Sequence, residues 1–160
     1  MKPFLPLELL RSGASELGMD LTRTQLEQFD AFAELLVETN RKFNLTRITD
    51  PRDIVLNHYL DSLTCLRAIK IERDSSVVDV GTGAGFPGIP IKIARPDLAL
   101  GLLDSSRKKL RFLSAAAGEL GLENVEVIHV RAEEAGRKVG LREKYDACLL
   151  YTSPSPRDRS

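Results

Sequence analysis

The chain has 160 residues, of which 42% are hydrophobic, and its 23 basic residues are balanced by 23 acidic ones. This size and apolar content predict one domain with its own core, and the zero net charge argues against a protein that coats nucleic acid nonspecifically. No apolar run approaches the roughly 18 residues of a membrane span, no export signal is visible, and the two cysteines match no metal-binding or disulfide pattern. We therefore expect a cytoplasmic monomer with neither a membrane nor a metal partner.

Residues 1–71 are predicted to form a helical region, an annex to the rest of the chain. The run Thr24-Gln25-Leu26-Glu27 has the spacing of a capping box and predicts the start of a helix, after which apolar residues recur at helical spacing. Asp50 and Pro51 predict the start of another helix, with the aspartate as N-cap and the proline in the first turn.

From Ser75 onward the pattern changes to alternating strands and helices. Strands are predicted at Ser76–Val80, Ala99–Asp104, Val125–His129 and near Tyr145–Leu149, and helices at about Gly88–Ala94 and Ser106–Leu120. Alternation of this kind predicts a parallel sheet with right-handed crossovers. We assign this α/β region to residues 72–147.

The most informative motif is the turn after the first of these strands. Gly81, Gly83 and Gly85 stand at alternate positions, where glycine allows positive φ angles and lets the backbone pass close to a ligand. The helix that follows directs free N–H groups and the positive end of its dipole at the turn. A strand, a glycine turn and a helix in this order predict a site for a nucleotide-like cofactor.

Two acidic residues narrow the choice of cofactor. Asp79, two positions before Gly81, would repel a pyrophosphate, whereas it suits a cofactor with a cationic end such as S-adenosylmethionine. Asp104 ends the second strand 23 positions after Gly81, close to the roughly 20-residue interval at which an acid meets a ribose hydroxyl. The alternative role for Asp104 is to cap the helix that begins near Ser105 or Ser106.

The spacing Asp-x-Gly-x-Gly-x-Gly resembles the first motif of the class I methyltransferases. The longer run over residues 79–90 is similar to the family of ribosomal RNA small subunit methyltransferase G, also called glucose-inhibited division protein B. The resemblance covers roughly residues 25–147, with its motifs in the expected order. The further matching motifs are Asn44-Leu45-Thr46, His58-Tyr59-Leu60-Asp61-Ser62-Leu63, Arg95-Pro96, Leu103-Asp104-Ser105, Arg111-Phe112-Leu113, Glu123-Asn124 and Arg131-Ala132-Glu133-Glu134.

The resemblance implies an α/β fold, a Rossmann-like class I methyltransferase sheet that is incomplete here, preceded by the helical annex. The implied activity is transfer of a methyl group from S-adenosylmethionine to N7 of a guanine in 16S rRNA, with 16S rRNA or the small ribosomal subunit as partner. The implied cofactor-binding residues are Gly81 through its backbone, Phe86 as a pocket wall, and Ala132 and Glu133 beside the adenine. To these the glycine turn adds Gly83, and the two acidic residues above add Asp79 and Asp104. No residue is assigned a catalytic role.

Three polar residues late in the annex invite a different hypothesis. His58, Asp61 and Ser62 lie within one predicted helix, where no strained turn or oxyanion site could activate the serine. We therefore reject a hydrolase site. These residues are instead expected to hold the annex against the sheet by hydrogen bonds.

The last residues depart from the pattern of the domain. Residues 148–160 contain a Ser-Pro-Ser-Pro stretch without apolar periodicity or capping residues, and we predict a disordered tail that is not native to the family. The family continues its fourth strand into an Ala-Arg segment, and Tyr151 stands where a cofactor-contacting arginine is expected. A chain truncated in this way is expected to have little or no activity.

Two other functions stay open at this point. A nicotinamide-dependent Rossmann oxidoreductase would share the strand, turn and helix, but it should lack the acid at Asp79 and the Phe-Pro-Gly-Ile-Pro continuation of the turn. A non-catalytic RNA-binding module would keep the fold without the reaction. The basic clusters within residues 41–47 and 107–111 suit RNA in the light of the resemblance, whereas alone they predict only solvated helix faces.

Overall fold

The computed structural model describes residues 2–135 and 143–150, so Tyr151 and the rest of the predicted tail lie outside the described residues. The helices are α1 (Leu7–Glu16), α2 (Arg23–Asn40), α3 (Pro51–Asp53), α4 (Asp61–Ala68), α5 (Gly88–Ala94), α6 (Arg107–Leu120) and α7 (Ala132–Ala135), and a π-helical segment, Ile54–Leu60, joins α3 to α4. The strands are β1 (Ser76–Val80), β2 (Ala99–Asp104), β3 (Val125–His129) and β4 (Ala147–Leu150). Within the described ranges, no helix has the length and apolar character needed to cross a membrane.

The described strands form one parallel sheet in the order β3-β2-β1-β4. The predicted parallel α/β sheet is confirmed, and its first three strands have the predicted bounds. The chain winds from β1 through β2 to β3 in one direction, whereas β4 lies on the other side of β1. Val78 of β1 accordingly lies opposite Gly101 of β2 and Cys148 of β4. Open α/β sheets bind ligands at such a reversal point, beyond the carboxyl ends of the strands, and the glycine turn follows β1 there.

The annex and the sheet share one hydrophobic core. Phe29 and Phe32 of α2 are fully buried in a cluster that also holds Phe86 after β1, Leu102 of β2 and Leu113 of α6. Burying a side chain of this kind contributes about 1.5–3 kcal/mol relative to leaving it in water. The same buried surface therefore stabilises both regions of the chain.

Two glutamines of α2 also bind the ends of helices in the sheet region. Nε2 of Gln25 donates to the carbonyl oxygens of Ile93 at 3.0 Å and Ala94 at 3.2 Å, at the end of α5. Nε2 of Gln28 donates to the carbonyl oxygen of Leu120 at 3.0 Å, at the end of α6. The last carbonyls of a helix have no partner inside it, so these amides satisfy groups that would otherwise need water.

The start of α2 differs from the prediction. Thr22 is the N-cap: its Oγ1 accepts a hydrogen bond from the backbone N–H of Gln25 at 3.1 Å, and Oε1 of Gln25 accepts one from the N–H of Thr22 at 2.8 Å. The capping box predicted at Thr24 and Glu27 is therefore wrong by two residues. Both threonines have the required spacing, and the extended backbone at Thr22 decides between them. The N-cap predicted at Asp50 is confirmed.

Candidate functional site

The turn between β1 and α5 is held against the end of β2. The backbone N–H groups of Gly81 and Thr82 both donate to the carbonyl oxygen of Leu103, at 2.9 and 3.0 Å. Gly81 and Gly83 have φ angles of +71° and +58°. A Cβ atom placed on either glycine would meet nothing within 4 Å. The first half of the turn therefore presents bare backbone to open space.

The second half of the turn, counted to Gly88 at the start of α5, has the opposite surroundings. A Cβ atom on Gly85 would lie 2.7 Å from Cδ2 of Leu113. One on Gly88 would lie 2.6 Å from Cδ2 of Leu102 and 2.8 Å from Oδ2 of Asp79. The prediction that all three glycines at alternate positions make room for a ligand is therefore wrong for Gly85, because the missing side chain there makes room for the core.

Asp79 lies beneath the turn, with its side chain fully buried. Its Oδ2 accepts hydrogen bonds from Oγ1 of Thr82 at 2.8 Å and from the backbone N–H of Gly88 at 2.9 Å, and Oδ1 has no partner among the described residues. Burial raises the pKa of this carboxyl to about 7, although both hydrogen bonds act to lower it. Asp79 thus joins the two halves of the turn, and its protonation state sets the charge directly below them.

Asp104 lies at the carboxyl end of β2, half-buried and in contact with the turn. Its Oδ2 accepts a hydrogen bond from the backbone N–H of Gly83 at 2.8 Å, and its Oδ1 accepts one from that of Ser106 at 2.9 Å. The alternative that Asp104 is the N-cap of α6 is wrong, because Ser106 holds that position and accepts from the N–H of Lys109. The structure thus brings Asp104 and Gly83 together, while the ribose contact stays a prediction.

Phe86 stands in the turn with its side chain 5% exposed, and an annex residue covers it. The imidazole of His58 stacks on the Phe86 ring with the centroids 4.1 Å apart and the planes within 5°. Burial lowers the pKa of His58 to about 4, against the opposing charge of Asp61, so the ring is neutral at pH 7.

The prediction that this part of the annex is hydrogen-bonded to the sheet is wrong for the side chains of His58 and Ser62. Nε2 of His58 shares a hydrogen bond of 2.8 Å with Oγ1 of Thr46, which itself belongs to the annex. Oγ of Ser62 is buried without a partner in the part of the chain that the structure describes. The annex therefore contacts the turn here through an aromatic stack rather than through polar bonds.

Ala132 and Glu133 open α7, directly after β3. The backbone N–H of Val130 donates to the carbonyl oxygen of Asp104 at 3.1 Å, which holds the end of β3 beside the end of β2. The topology therefore places the start of α7 at the same sheet edge as the glycine turn. Glu133 is exposed there, and contact of either residue with an adenine stays a prediction.

The family model for rRNA small subunit methyltransferase G matches residues 25–150 of the chain. The chain belongs to this family. Ribosomal RNA small subunit methyltransferase G of Pelotomaculum thermopropionicum is 49% identical over 143 residues, which are 89% of this chain and 59% of the relative. The protein of that name from Leuconostoc citreum is 44% identical over 144 residues, 89% of this chain and 60% of the relative. The chain therefore spans about three fifths of the length of the curated relatives it matches.

Solved structures resemble this member of the rRNA small subunit methyltransferase G family in fold, at low sequence identity. A mutant of MtNAS in complex with S-adenosylmethionine aligns with 96% of this chain and 54% of its own, with a TM-score of 0.53 and 19% identity. Coclaurine N-methyltransferase bound to N-methylheliamine and SAH aligns with 90% of this chain and 48% of its own, with a TM-score of 0.51 and 18% identity. The fold is an incomplete Rossmann-like sheet of the class I methyltransferase type.

The sequence did not predict that His58 lies on Phe86. Both residues belong to motifs that resemble the rRNA small subunit methyltransferase G family, but the order of motifs along a chain does not say which of them touch. The one local signal is that His58 falls on the apolar side of its helix, between Val55 and Tyr59, which are also buried. Among the described residues, no three His, Cys, Asp or Glu side chains are grouped so that they could hold a metal ion.

Proposed function

We propose that the chain provides the cofactor site of a cytoplasmic, monomeric enzyme that transfers a methyl group from S-adenosylmethionine to N7 of a guanine in 16S rRNA, whereas these 160 residues alone have little or no activity. The observation that carries this proposal is the glycine turn at the carboxyl end of β1, bare at Gly81 and Gly83 and backed by the buried Asp79. Membership of the rRNA small subunit methyltransferase G family supports the choice of RNA as substrate.

The residues around the turn suit an adenosyl cofactor. The backbone of Gly81 and Gly83 is open to a ligand because no Cβ atom stands in the way. Asp104 orients Gly83 and lies where a ribose meets the end of the second strand in nucleotide folds. In this arrangement Ala132 and Glu133 would border the adenine, since they follow β3, the strand next to β2.

Asp79 favours a cationic cofactor over a dinucleotide. A buried carboxyl with a pKa of about 7 loses its proton more readily when a positive charge approaches, and less readily when an anion does. The sulfonium and ammonium groups of S-adenosylmethionine would therefore stabilise ionised Asp79, whereas the pyrophosphate of NAD would oppose its ionisation. Because cofactor binding then releases a proton, affinity should rise with pH through neutrality and should lose that dependence in Asp79→Asn.

The reaction needs little general acid–base catalysis from the protein. When bound, S-adenosylmethionine supplies an electrophilic methyl group, and N7 of guanine carries an exposed lone pair without a proton. Attack by N7 therefore requires no general base, and the purine gains a positive charge. The contribution of the protein is to align N7 with the methyl–sulfur bond, an effect that can supply about 7–11 kcal/mol.

Two basic clusters that are separate in sequence are connected by one contact at the start of α6. Nζ of Lys108, in the first turn of α6, lies 4.5 Å from the centroid of the Phe43 ring, which follows the basic residues 41–42. Arg107 and Arg111 line an adjoining groove of about 450 Å³ between α6 and β3. None of these cations forms an ion pair with another described residue. A lysine over an aromatic ring and two unpaired arginines in a groove suit the bases and phosphates of RNA.

The RNA surface is tested by reversing charges on it. The double variant Arg107→Glu/Arg111→Glu should weaken binding of naked 16S rRNA at least about tenfold and lower the salt dependence by about two phosphate contacts. Lys70→Glu/Arg73→Glu is the matched control, since these residues precede β1 and so lie toward the amino ends of the strands, away from the glycine turn at the carboxyl ends. Equal weakening by both variants would show that the RNA does not bind at α6.

The cofactor and the reaction are tested separately. Calorimetry with S-adenosylhomocysteine and with NAD should show binding of the first alone, and tight binding of NAD would instead favour the oxidoreductase. Transfer of labelled methyl groups to naked 16S rRNA or to small ribosomal subunits distinguishes an enzyme from an RNA-binding module when it is measured on this chain extended to the full length of its relatives. The relative from Pelotomaculum thermopropionicum is assayed in parallel as the longer reference protein, because this chain spans 59% of its length.

A further inference from the structure

Two annex motifs that resemble the family have no role in the site proposed above, namely residues 44–46 and the stretch that begins at His58. The structure connects both of them to the glycine turn. Oδ1 of Asn40, at the end of α2, accepts hydrogen bonds from the backbone N–H groups of Leu45 at 2.7 Å and Thr46 at 3.0 Å. One side chain therefore fixes the conformation of the loop that follows α2.

Thr46 connects this ordered loop to His58 by a hydrogen bond. Oγ1 of Thr46 accepts from the backbone N–H of Ile48 at 3.1 Å and shares a hydrogen bond of 2.8 Å with Nε2 of His58. The π-helical segment turns both His58 and Tyr59 toward the interior, and segments of this type are frequent at functional sites. The imidazole is thus anchored at one nitrogen and has a fixed plane.

The plane of the imidazole faces the turn. The ring of Phe86 lies parallel to it at 4.1 Å, and the backbone N–H of Phe86 donates to the carbonyl oxygen of Thr82 at 3.1 Å. Thr82 in turn donates its hydroxyl to Asp79 at 2.8 Å. The ring that stacks on His58 therefore belongs to a residue whose backbone is hydrogen-bonded to Thr82, between the open and the packed half of the turn.

Packing alone does not account for a histidine at this position. Nδ1 of His58 is buried and has no partner among the described residues. A buried ring nitrogen without a partner costs free energy that an apolar ring of similar size would not. The hydrogen bond to Thr46 is what the imidazole offers and a phenyl ring lacks.

On the basis of the function proposed above, we propose that His58 is a positioning residue. It transmits the order of the loop after α2 to Phe86 and so holds the open half of the turn in the shape that receives the cofactor. The residue does not touch the reacting atoms. Its effect is on the affinity for the adenosyl ligand, and it acts through Phe86.

The test uses the whole chain, S-adenosylhomocysteine as the probe, and the NMR resonances of the Phe86 ring as a second readout. His58→Asn removes the ring and should weaken binding about tenfold. His58→Phe keeps a ring without its anchor and should restore most of that loss, to within about threefold of wild type. Thr46→Val should match His58→Phe in size, and the double variant should be no weaker than either single one, because both changes break the same path.

The control is Tyr59→Phe, the neighbour of His58 on the same segment. It removes the hydroxyl that donates to the carbonyl oxygen of Phe29 at 2.7 Å but leaves every ring in place, so it lowers stability without breaking the stack. It should change neither the affinity nor the Phe86 resonances, which His58→Asn should shift. If His58→Asn fails to fold, Thr46→Val decides.

The outcomes separate this inference from the proposed function. Wild-type affinity with unshifted Phe86 resonances in both His58→Asn and Thr46→Val would overturn the role of His58 and leave the proposed function intact. Equal weakening by Tyr59→Phe and His58→Asn would also overturn it, because that result follows from lost stability alone. A wild-type chain that binds no adenosyl ligand would reject the proposed function and the inference together.

Discussion

The first and second halves of the turn after β1 both depend on glycine, but for opposite reasons. At Gly81 and Gly83 the space above the backbone is empty, whereas at Gly85 and Gly88 side chains of the core fill it. One half is shaped to receive a ligand, and the other is shaped so that the turn can lie on the sheet and helices below. The same residue type within one motif therefore serves binding at some positions and folding at others.

The largest expected effect belongs to the packed half of the turn. Gly85→Ala should lower the free energy of unfolding by about 4 kcal/mol, because the new Cβ atom overpacks the core and the φ angle of +104° strains an L-residue. Urea unfolding measures the loss. Gly118→Ala is the control, since Gly118 lies in α6 with open space around it, and it should gain about 0.5–1 kcal/mol. A Gly85→Ala protein as stable as wild type would contradict the claim that the second half of the turn is packed against the core.

Asp79 joins the two halves, and its effect on stability should depend on pH. Its pKa is raised to about 7 in the folded protein, so the folded state holds a proton that the unfolded state has lost, and wild-type stability falls as pH rises from about 4 to 7. Asp79→Asn does not titrate. Between about pH 4 and pH 7 the free energy of unfolding of wild type should therefore fall by about 3 kcal/mol relative to that of Asp79→Asn. A difference independent of pH in urea unfolding would contradict this.

His58, which covers the turn from the annex, should show the opposite sign. Its pKa is lowered to about 4, so the unfolded state binds a proton first and wild-type stability is lost as pH falls from about 6.5 to 4. Relative to His58→Phe, wild type should lose about 2 kcal/mol over this range. The two effects partly cancel in the wild-type protein, so each becomes visible only in comparison with its variant. Parallel pH profiles for wild type and His58→Phe would exclude a neutral, buried imidazole.

The smallest loss of stability is expected in the open half of the turn. Gly81→Ala and Gly121→Ala form a matched pair, because their φ angles are +71° and +69° and neither Cβ atom would meet a neighbour. Both should cost about 1–2 kcal/mol in urea unfolding. Only Gly81→Ala should weaken binding of S-adenosylhomocysteine, by at least about tenfold. Equal affinity in the two variants would mean that the open half does not face the cofactor.

The features that could be predicted from sequence are those encoded locally. The bounds of β1, β2 and β3 follow from short apolar runs between turn residues, and the turn itself follows from the glycine spacing. The proximity of Asp104 to the turn follows from topology, because neighbouring parallel strands end at the same edge of the sheet. Each of these inferences needs only a few adjacent residues and a general rule of α/β folds.

The features that could not be predicted depend on residues distant in sequence. Gly83 and Gly85 look equivalent in the motif, and only the presence of Leu113 behind one of them makes the difference. The pairing of His58 with Phe86 joins two regions whose contact no local pattern encodes. Thr22 and Thr24 show the same limit at smaller scale, because both satisfy the capping pattern and the path of the preceding chain selects one.

The hydrogen bonds that the side-chain amides of Gln25 and Gln28 donate to the ends of α5 and α6 have a practical consequence for engineering. A gene divided at residue 71 would strip those carbonyl groups of their donors and uncover the rings around Phe86. Neither portion is thus an interchangeable module. Any graft of the glycine turn onto a foreign scaffold has to carry α2 with it.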